Sequence, residues 1–389
     1  MSHNPPPPPP APPAPPPPQR QVSPKPIASP DAPKYPPGSF GIGVEVEFLL
    51  EPRGRSSASP SIRDFSQKVA STYNAYLAET GSTRHPQMHN AIDEAYLGPQ
   101  FAEWSLDSDS TIETPNKGQA PWGLECISPI FRAHAGSQWR QHIEFLWRFF
   151  SLHYDISSND SCGTHVHISR VGGYSLTNLK KICQSIIHFE PAFEALLPES
   201  RLSNEYSRSN WLDNANFGHR NLTRNQSIVV IEQATNMREL VLLMNPDHDK
   251  MFGWNFLYLL NSPHGTIEFR RGPASTSAQN VFVYIEVAMS FIEAAIQLGG
   301  PESLCKVPAT VGGLRWFLQT ANLPDQMPGL YDSRYLEVFF ASKADSVFRE
   351  PMPLGTLSAH KLNKLARKKE EDKRKNIAMI KMLHEPYWS

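Results

Sequence analysis

Three short stretches of the chain place ionisable side chains two residues apart, the spacing that puts both on one face of a β-strand. Glu45 and Glu47 alternate with Val44, Val46 and Phe48; His165 and His167 alternate with Val166 and Ile168; Glu268 and Arg270 alternate with Ile267 and Phe269. Glu125 breaks into the apolar run GLECISP as a fourth such intrusion. Any one of these is an ordinary half-exposed strand of an antiparallel sheet. Taken together they depart from the usual solvent-facing mixture of Thr, Lys, Ser and Glu, because carboxylate and imidazole dominate. Carboxylates gathered on one face repel one another and bind protons more tightly unless a cation compensates. Glutamate oxygens suit Mg²⁺ or Mn²⁺, and an imidazole among them widens the choice toward Mn²⁺ or a mixed pair. Arg270 beside such ligands opposes a cation but suits an anionic phosphate between metals. The chemistry expected is metal-assisted phosphoryl transfer. A rival reading makes His165 and His167 an open Zn²⁺ site for hydrolysis, and the surplus of glutamates speaks against it. Cys162, just ahead of the histidines, reads as a packing or turn position rather than a nucleophile.

The elements that must position these groups follow from periodicity. SFGIGVEVEFLLE (39–51) alternates and reads as a strand ended by Pro52. Residues 62–81 show helical spacing at Phe65, Val69, Tyr73, Tyr76 and Leu77 and stop at Gly81. Strand-like pieces at FAEWSLD, GLECISPIF, CGTHVHIS and HGTIEFRRG are separated by helices expected near 136–152, 176–196 and 277–297. Residues 201–227 are polar, rich in Asn and Arg, and read as a long functional loop. Gly41 and Gly43 lack the third glycine of a dinucleotide fingerprint, since Val46 stands there. No Walker A or HExxH sequence occurs.

Of the 389 residues, 37 are prolines, and 18 of those lie in residues 1–37, which read as a disordered polyproline II leader. The leader is either a flexible spacer or a ligand for SH3, WW or EVH1-type grooves. A net charge of −1 gives no general attraction to nucleic acid or to an acidic membrane. No unbroken run of about 18 apolar residues is present, so no membrane span is expected, and the leader has no signal-peptide apolar core. Four scattered cysteines point to a reducing, cytoplasmic setting. Residues 361–375 hold eight Lys/Arg and three Asp/Glu, read as a solvated helix face, with a nuclear-import or nucleic-acid patch as the rival. The organisation expected is leader 1–37, a catalytic domain 38–350 and a basic helical tail 351–389.

In order, GVEVEF (43–48), LDSDST (106–111), LECISP (124–129), CGTHVHIS (162–169) and TIEFRRGP (266–273) resemble the amidoligase family, distant relatives of glutamine synthetase and glutamate–cysteine ligase. The resemblance spans about 40–300. It implies an α+β fold: a curved, mostly antiparallel sheet with a concave active-site face and helices packed outside. It also implies a carboxylate–amine ligase that uses ATP and Mg²⁺ or Mn²⁺, joining a small-molecule or peptide carboxylate to an amine through an acyl phosphate. Carried onto these residues, Glu47 and Glu125 hold the metal nearer the carboxyl substrate. Glu45, Glu268 and one of His165 or His167 hold the metal that bridges the ATP phosphates. Arg270 neutralises the transferred phosphoryl group, Asp109 is a substrate-side or amine-binding group, and Arg201 and Asn204 contact nucleotide. After TIEFR the chain departs from the family's usual His and Gly-Thr, with Arg271, Gly272 and Pro273 intervening. A zinc hydrolase, and a non-catalytic adaptor working through its leader, are the competing readings.

Overall fold

The alternating run that opens the folded body forms β1 (Phe40–Pro52), the strand from which the rest of the sheet hangs. Its neighbours are β4 (Trp122–Ile127) on one side and β7 (Gly163–Arg170) on the other. The sheet continues outward through β3 (Trp104–Asp107) to β2 (Met88–Asn90), and through β9 (Ile267–Pro273) to β8 (Trp254–Asn255). Two short strands, β5 (Phe131–Ala133) and β6 (Tyr154–Ser157), pair with the two ends of β1. Every pairing is antiparallel except β2 with β3, and the sheet is open rather than closed into a barrel. The computed structural model describes residues 38–54, 59–92, 98, 101–260, 265–321, 330–341 and 343–383. The proline-rich leader lies outside the described residues.

Ten helices are described: α1 (Ile62–Glu79), α2 (Trp139–His153), α3 (Leu176–Leu196), α4 (Arg224–Gln233), α5 (Met237–Met244), α6 (Ala278–Leu298), α7 (Pro301–Leu304), α8 (Val311–Ala321), α9 (Ser333–Phe340) and α10 (Ala359–Leu383). Serine starts three of the long ones. Ser61, Ser175 and Ser277 each accept a hydrogen bond from the backbone N–H three residues on, satisfying a donor that the helix itself leaves free.

The period of two in the strands divides the sheet into faces. Val44, Val46, Phe48, Leu124, Val166, Ile168, Ile267 and Phe269 are all buried on the apolar face. Phe48 meets Trp147 and Phe150 of α2 edge-on at 5.9 and 5.3 Å, and Phe193 of α3 lies 6.0 Å from Phe269. Burying an aromatic of this size contributes about 1.5–3 kcal/mol each. Helix α6 corrects the expectation that no segment is long and apolar enough to cross a membrane, since its 21 residues pass that test. Its apolar composition serves the core instead, with 78% of the apolar window buried. Arg271 enters this apolar side and pairs with Glu194 and Glu190 of α3, so the extra arginine after TIEFR lies on the face opposite Arg270.

Candidate metal and phosphate site

The strand register gathers the ionisable residues on one face. Glu45 stands opposite His165, Glu47 opposite Glu125, and His167 opposite Glu268. Between Val166 and Thr164 of β7 the register slips, because β9 carries one residue more between Phe269 and Gly272. Such a bulge sets two residues against one; here Arg270 and Arg271 stand against His165, and their side chains leave by opposite faces. Gly163 opens β7 beneath Glu47, to which its N–H donates at 2.6 Å. A Cβ at that position would lie 3.3 Å from Arg201 Nη2 and 3.4 Å from Glu47 Oε2, tighter than most real contacts.

Two overlapping groups of donors result. Glu45, His165 and Glu268 bring one ligand atom each within 4.8 Å of the others, and so do Glu47, Glu125 and His165. His165 belongs to both. Its Nδ1 lies 3.1 Å from Glu45 Oε2 and 3.9 Å from Glu268 Oε1. His167 Nε2 lies 3.2 Å from Glu45 Oε1 yet makes no hydrogen bond of proper geometry, while its Nδ1 meets Thr266 Oγ1 at 3.2 Å. Glu268 is fully buried, held by Asn255 Nδ2 at 2.7 Å and by the Arg270 guanidinium. Arg270 also donates from Nε to the Tyr206 carbonyl at 3.3 Å.

The electrostatics are uneven across the face. Burial, then the Asp109 charge, pushes the Glu47 carboxyl up to about 8 despite Arg201, Lys368 and Arg270. Burial acts the same way on Glu268, but Arg270 and His167 outweigh it and hold that carboxyl down at about 2. Glu45 is also held well below the usual range, since the His167 charge and the hydrogen bond from His165 overcome burial. Burial and Arg270 lower His165 to about 4, whereas for His167 the charges of Glu268 and Glu45 exceed burial and raise it. The His165 imidazole is therefore neutral with a lone pair to offer, whereas His167 holds its proton more tightly than a free imidazole. Five buried or half-buried oxygen and nitrogen donors, among them one carboxylate uncompensated enough to hold its proton to about 8, make a donor set that fits a divalent cation.

The other residues singled out from sequence lie around this set. Asp109 is buried two residues beyond β3, where its Oδ1 accepts from the Thr111 N–H and hydroxyl at 2.7 Å each. Its Oδ2 takes Lys368 Nζ at 2.5 Å. Arg201 is buried and donates from Nη2 to the Arg270 carbonyl at 2.8 Å, with Nε left without a partner. Asn204 is occupied by its own turn, accepting from the Tyr206 N–H at 2.9 Å and donating to the Ser200 carbonyl at 3.2 Å. Burial pushes the Cys162 thiol up to about 11, in keeping with a packing role. Sequence reasoning missed Asn255, Thr266 and Lys368. The first two are polar residues in or beside apolar strands, a detectable signal; Lys368 was hidden in a basic run. A cavity of about 790 Å³ bordered by Leu298, Val307, Trp316 and Asp345 shares no residue with this face.

No curated protein matches the chain. A solved structure described as "Crystal structure of novel glutamine synthase homolog" is similar at 14% identity and a TM-score of 0.31, over 78% of this chain. The match covers 66% of that structure's length. Residues 39–292 match the family described as "Putative amidoligase enzyme", a span that takes in all four site strands and about two thirds of the sequence, and the chain belongs to that family.

Proposed function

We propose that this protein is an ATP-dependent carboxylate–amine ligase, with Mg²⁺ or Mn²⁺ held by Glu45, Glu47, Glu125, His165 and Glu268. The observation that carries the reading is the pair of three-residue donor groups sharing His165, with Arg270 locked to one of them. Glu45, Glu268 and His165 face the nucleotide, and Glu47 with Glu125 faces the carboxyl substrate. Divalent cations bound there would supply charge neutralisation and Lewis acidity toward the phosphates.

In the balanced reaction a substrate carboxylate oxygen attacks the γ-phosphorus, and the β–γ bridging oxygen leaves with ADP. The amine lone pair then forms a bond to the acyl carbon while the carbon–oxygen bond breaks toward phosphate, and the nitrogen sheds a proton. Arg270, cationic and fixed by Glu268 and the Tyr206 carbonyl, presents a preorganised charge to the phosphoryl group in both steps. Its pairing positions it without rotamer freedom, so little ordering remains for the reaction. Arg201 pins the backbone of Arg270, and the Glu268 and Glu45 carboxylates favour the protonated form of His167. Asn204 shapes the loop that carries Tyr206. Asp109 serves the amine side. A small-molecule or peptide carboxylate and an amine are the substrates.

Calorimetric titration of the full chain with a non-hydrolysable ATP analogue tests this. Binding that requires Mg²⁺ or Mn²⁺ is the expected result. No binding with either metal, alongside stoichiometric zinc in the purified protein, would turn the assignment to a hydrolase.

A further inference from the structure

Helix α10 lies outside the residues matched to the family, yet it is tied to the rim of the site by a row of lysines. Lys361 Nζ reaches Glu205 at 2.9 Å, Lys364 reaches Glu113 at 2.6 Å, and Lys369 reaches Asp249 at 2.8 Å. Positions 361, 364 and 368 share one helical face. Their acidic partners come from separate loops, so the contacts amount to a strap rather than a local ladder. Surface pairs of this kind contribute little singly.

Lys368 differs from the others. Its side chain is only 6% exposed, and its ammonium lies 2.5 Å from Asp109 Oδ2 and 3.2 Å from Asp372 Oδ1. Asp372 is itself anchored to Lys250 at 2.9 Å. Both the charged head and the four-carbon stem are thus enclosed. Lysine is almost never buried unless paired, and here the pairing places a primary amine beside the carboxylate face. Glu47 feels the charges of both Asp109 and Lys368, and Lys368 feels that of Glu125.

We propose that the Lys368 pocket is the amine subsite of the ligase, that it takes an unbranched primary alkylamine such as a lysine side chain, and that α10 fills it in cis. The inference rests on the ligase reading of the adjoining carboxylates. The enclosed stem is what separates an alkylamine from ammonia, which needs no channel. Held as an ammonium by two carboxylates, the tethered nitrogen has no lone pair with which to attack, so it blocks the subsite without being consumed. Release of the strap opens the site to an amine from another molecule.

Thermal denaturation of full-length Lys368→Ala, with n-butylammonium, Nα-acetyl-lysine amide, ammonium and n-butanol as probes, tests the proposal. The two alkylamines are expected to raise its melting temperature saturably, with ammonium and butanol inert. Wild type and Lys368→Ala/Asp109→Asn should not respond. A preference for the lysine amide over butylammonium assigns a peptide-borne lysine; the reverse assigns a small free amine. Equal, non-saturating responses to all four probes overturn the subsite. Should Lys368→Ala not fold, Lys361→Ala/Lys364→Ala/Lys369→Ala keeps the buried lysine and loosens only the strap. In that variant n-butylammonium should speed tryptic cleavage within 359–383, and an unchanged rate overturns the proposal. ATP-analogue binding with Mg²⁺, measured on the same variants, separates the two ideas: where the amine probes fail but the analogue still binds, only the amine subsite falls, and where wild type does not bind the analogue either, the ligase reading falls.

Discussion

Glu47 is buried against Asp109 and against the N–H of Gly163, with its carboxyl pushed up to about 8. A neutral isostere mimics the protonated form that burial favours and keeps an oxygen for Gly163, so Glu47→Gln is expected to melt at or above the wild-type temperature. It should lose metal-dependent ATP turnover by at least about 100-fold, the upper end of what loss of a mere supporting partner costs a metal site. Turnover within a few-fold of wild type would remove Glu47 from the ligand set. At this scale the sequence was readily legible wherever a charged residue interrupted an alternating strand, because period two assigns the face directly. It was blind to which histidine does what. His165 and His167 are equivalent by spacing, and only the positions of Arg270, Glu45 and Glu268 around them push the first down to about 4 and the second up. Asn204 carries hydrogen bonds within its own turn, to Ser200 and from Tyr206, a local role that residue type and spacing do not display.

Among the elements, the long helices and the four site strands follow from periodicity, while β2, β5, β6 and β8 are two to four residues long and too short to show a period. The 201–227 segment read as irregular, and apart from a 3₁₀ turn at Gly218–Arg220 it is so until α4 begins at Arg224: asparagines such as Asn210 and Asn214 hold it by bonding backbone at Trp254, Leu243 and Met244. The basic tail keeps most of its solvated face, with Lys361 and Lys369 about half exposed, but its lysines pair with acids far away in sequence and Lys368 is buried. A different contact between elements gives a pH dependence. Glu286 of α6 accepts from Arg140 of α2 at 3.0 Å and from the Asp332 N–H at 2.9 Å. Burial pushes its carboxyl up to about 8, against the pull of Arg140, from the usual 4.5. The folded state therefore holds this proton more tightly than the unfolded chain does. The resulting stability is complete below pH 4.5 and is lost as pH rises through about 8. Glu286→Gln, which mimics the protonated form, should gain on wild type by at least about 3 °C in melting temperature between pH 5 and pH 9. Parallel melting curves for the two proteins across that range would exclude Glu286 as the titrating group.

For the whole molecule, the family match and every proposed ligand fall between residues 39 and 292. Deleting residues 1–37 should accordingly leave ATP-analogue affinity and turnover within about two-fold of the full chain; a loss beyond ten-fold would make the leader part of the site. The central place of β1 has a further consequence, for synthesis rather than for chemistry. The strand that supplies Glu45 and Glu47 is made first among the site elements, yet its two main partners arrive with residues 122–127 and 163–170, and Glu268 and Arg270 arrive about a hundred residues after that. Contacts between residues so far apart close slowly, and unpaired strand edges invite association with other chains. A nascent chain halted near residue 260 would display Glu45, His165 and His167 with no Glu268 or Arg270 to balance them. The carboxylate face is thus completed late during translation, and truncated products are the ones expected to aggregate or to call on chaperones.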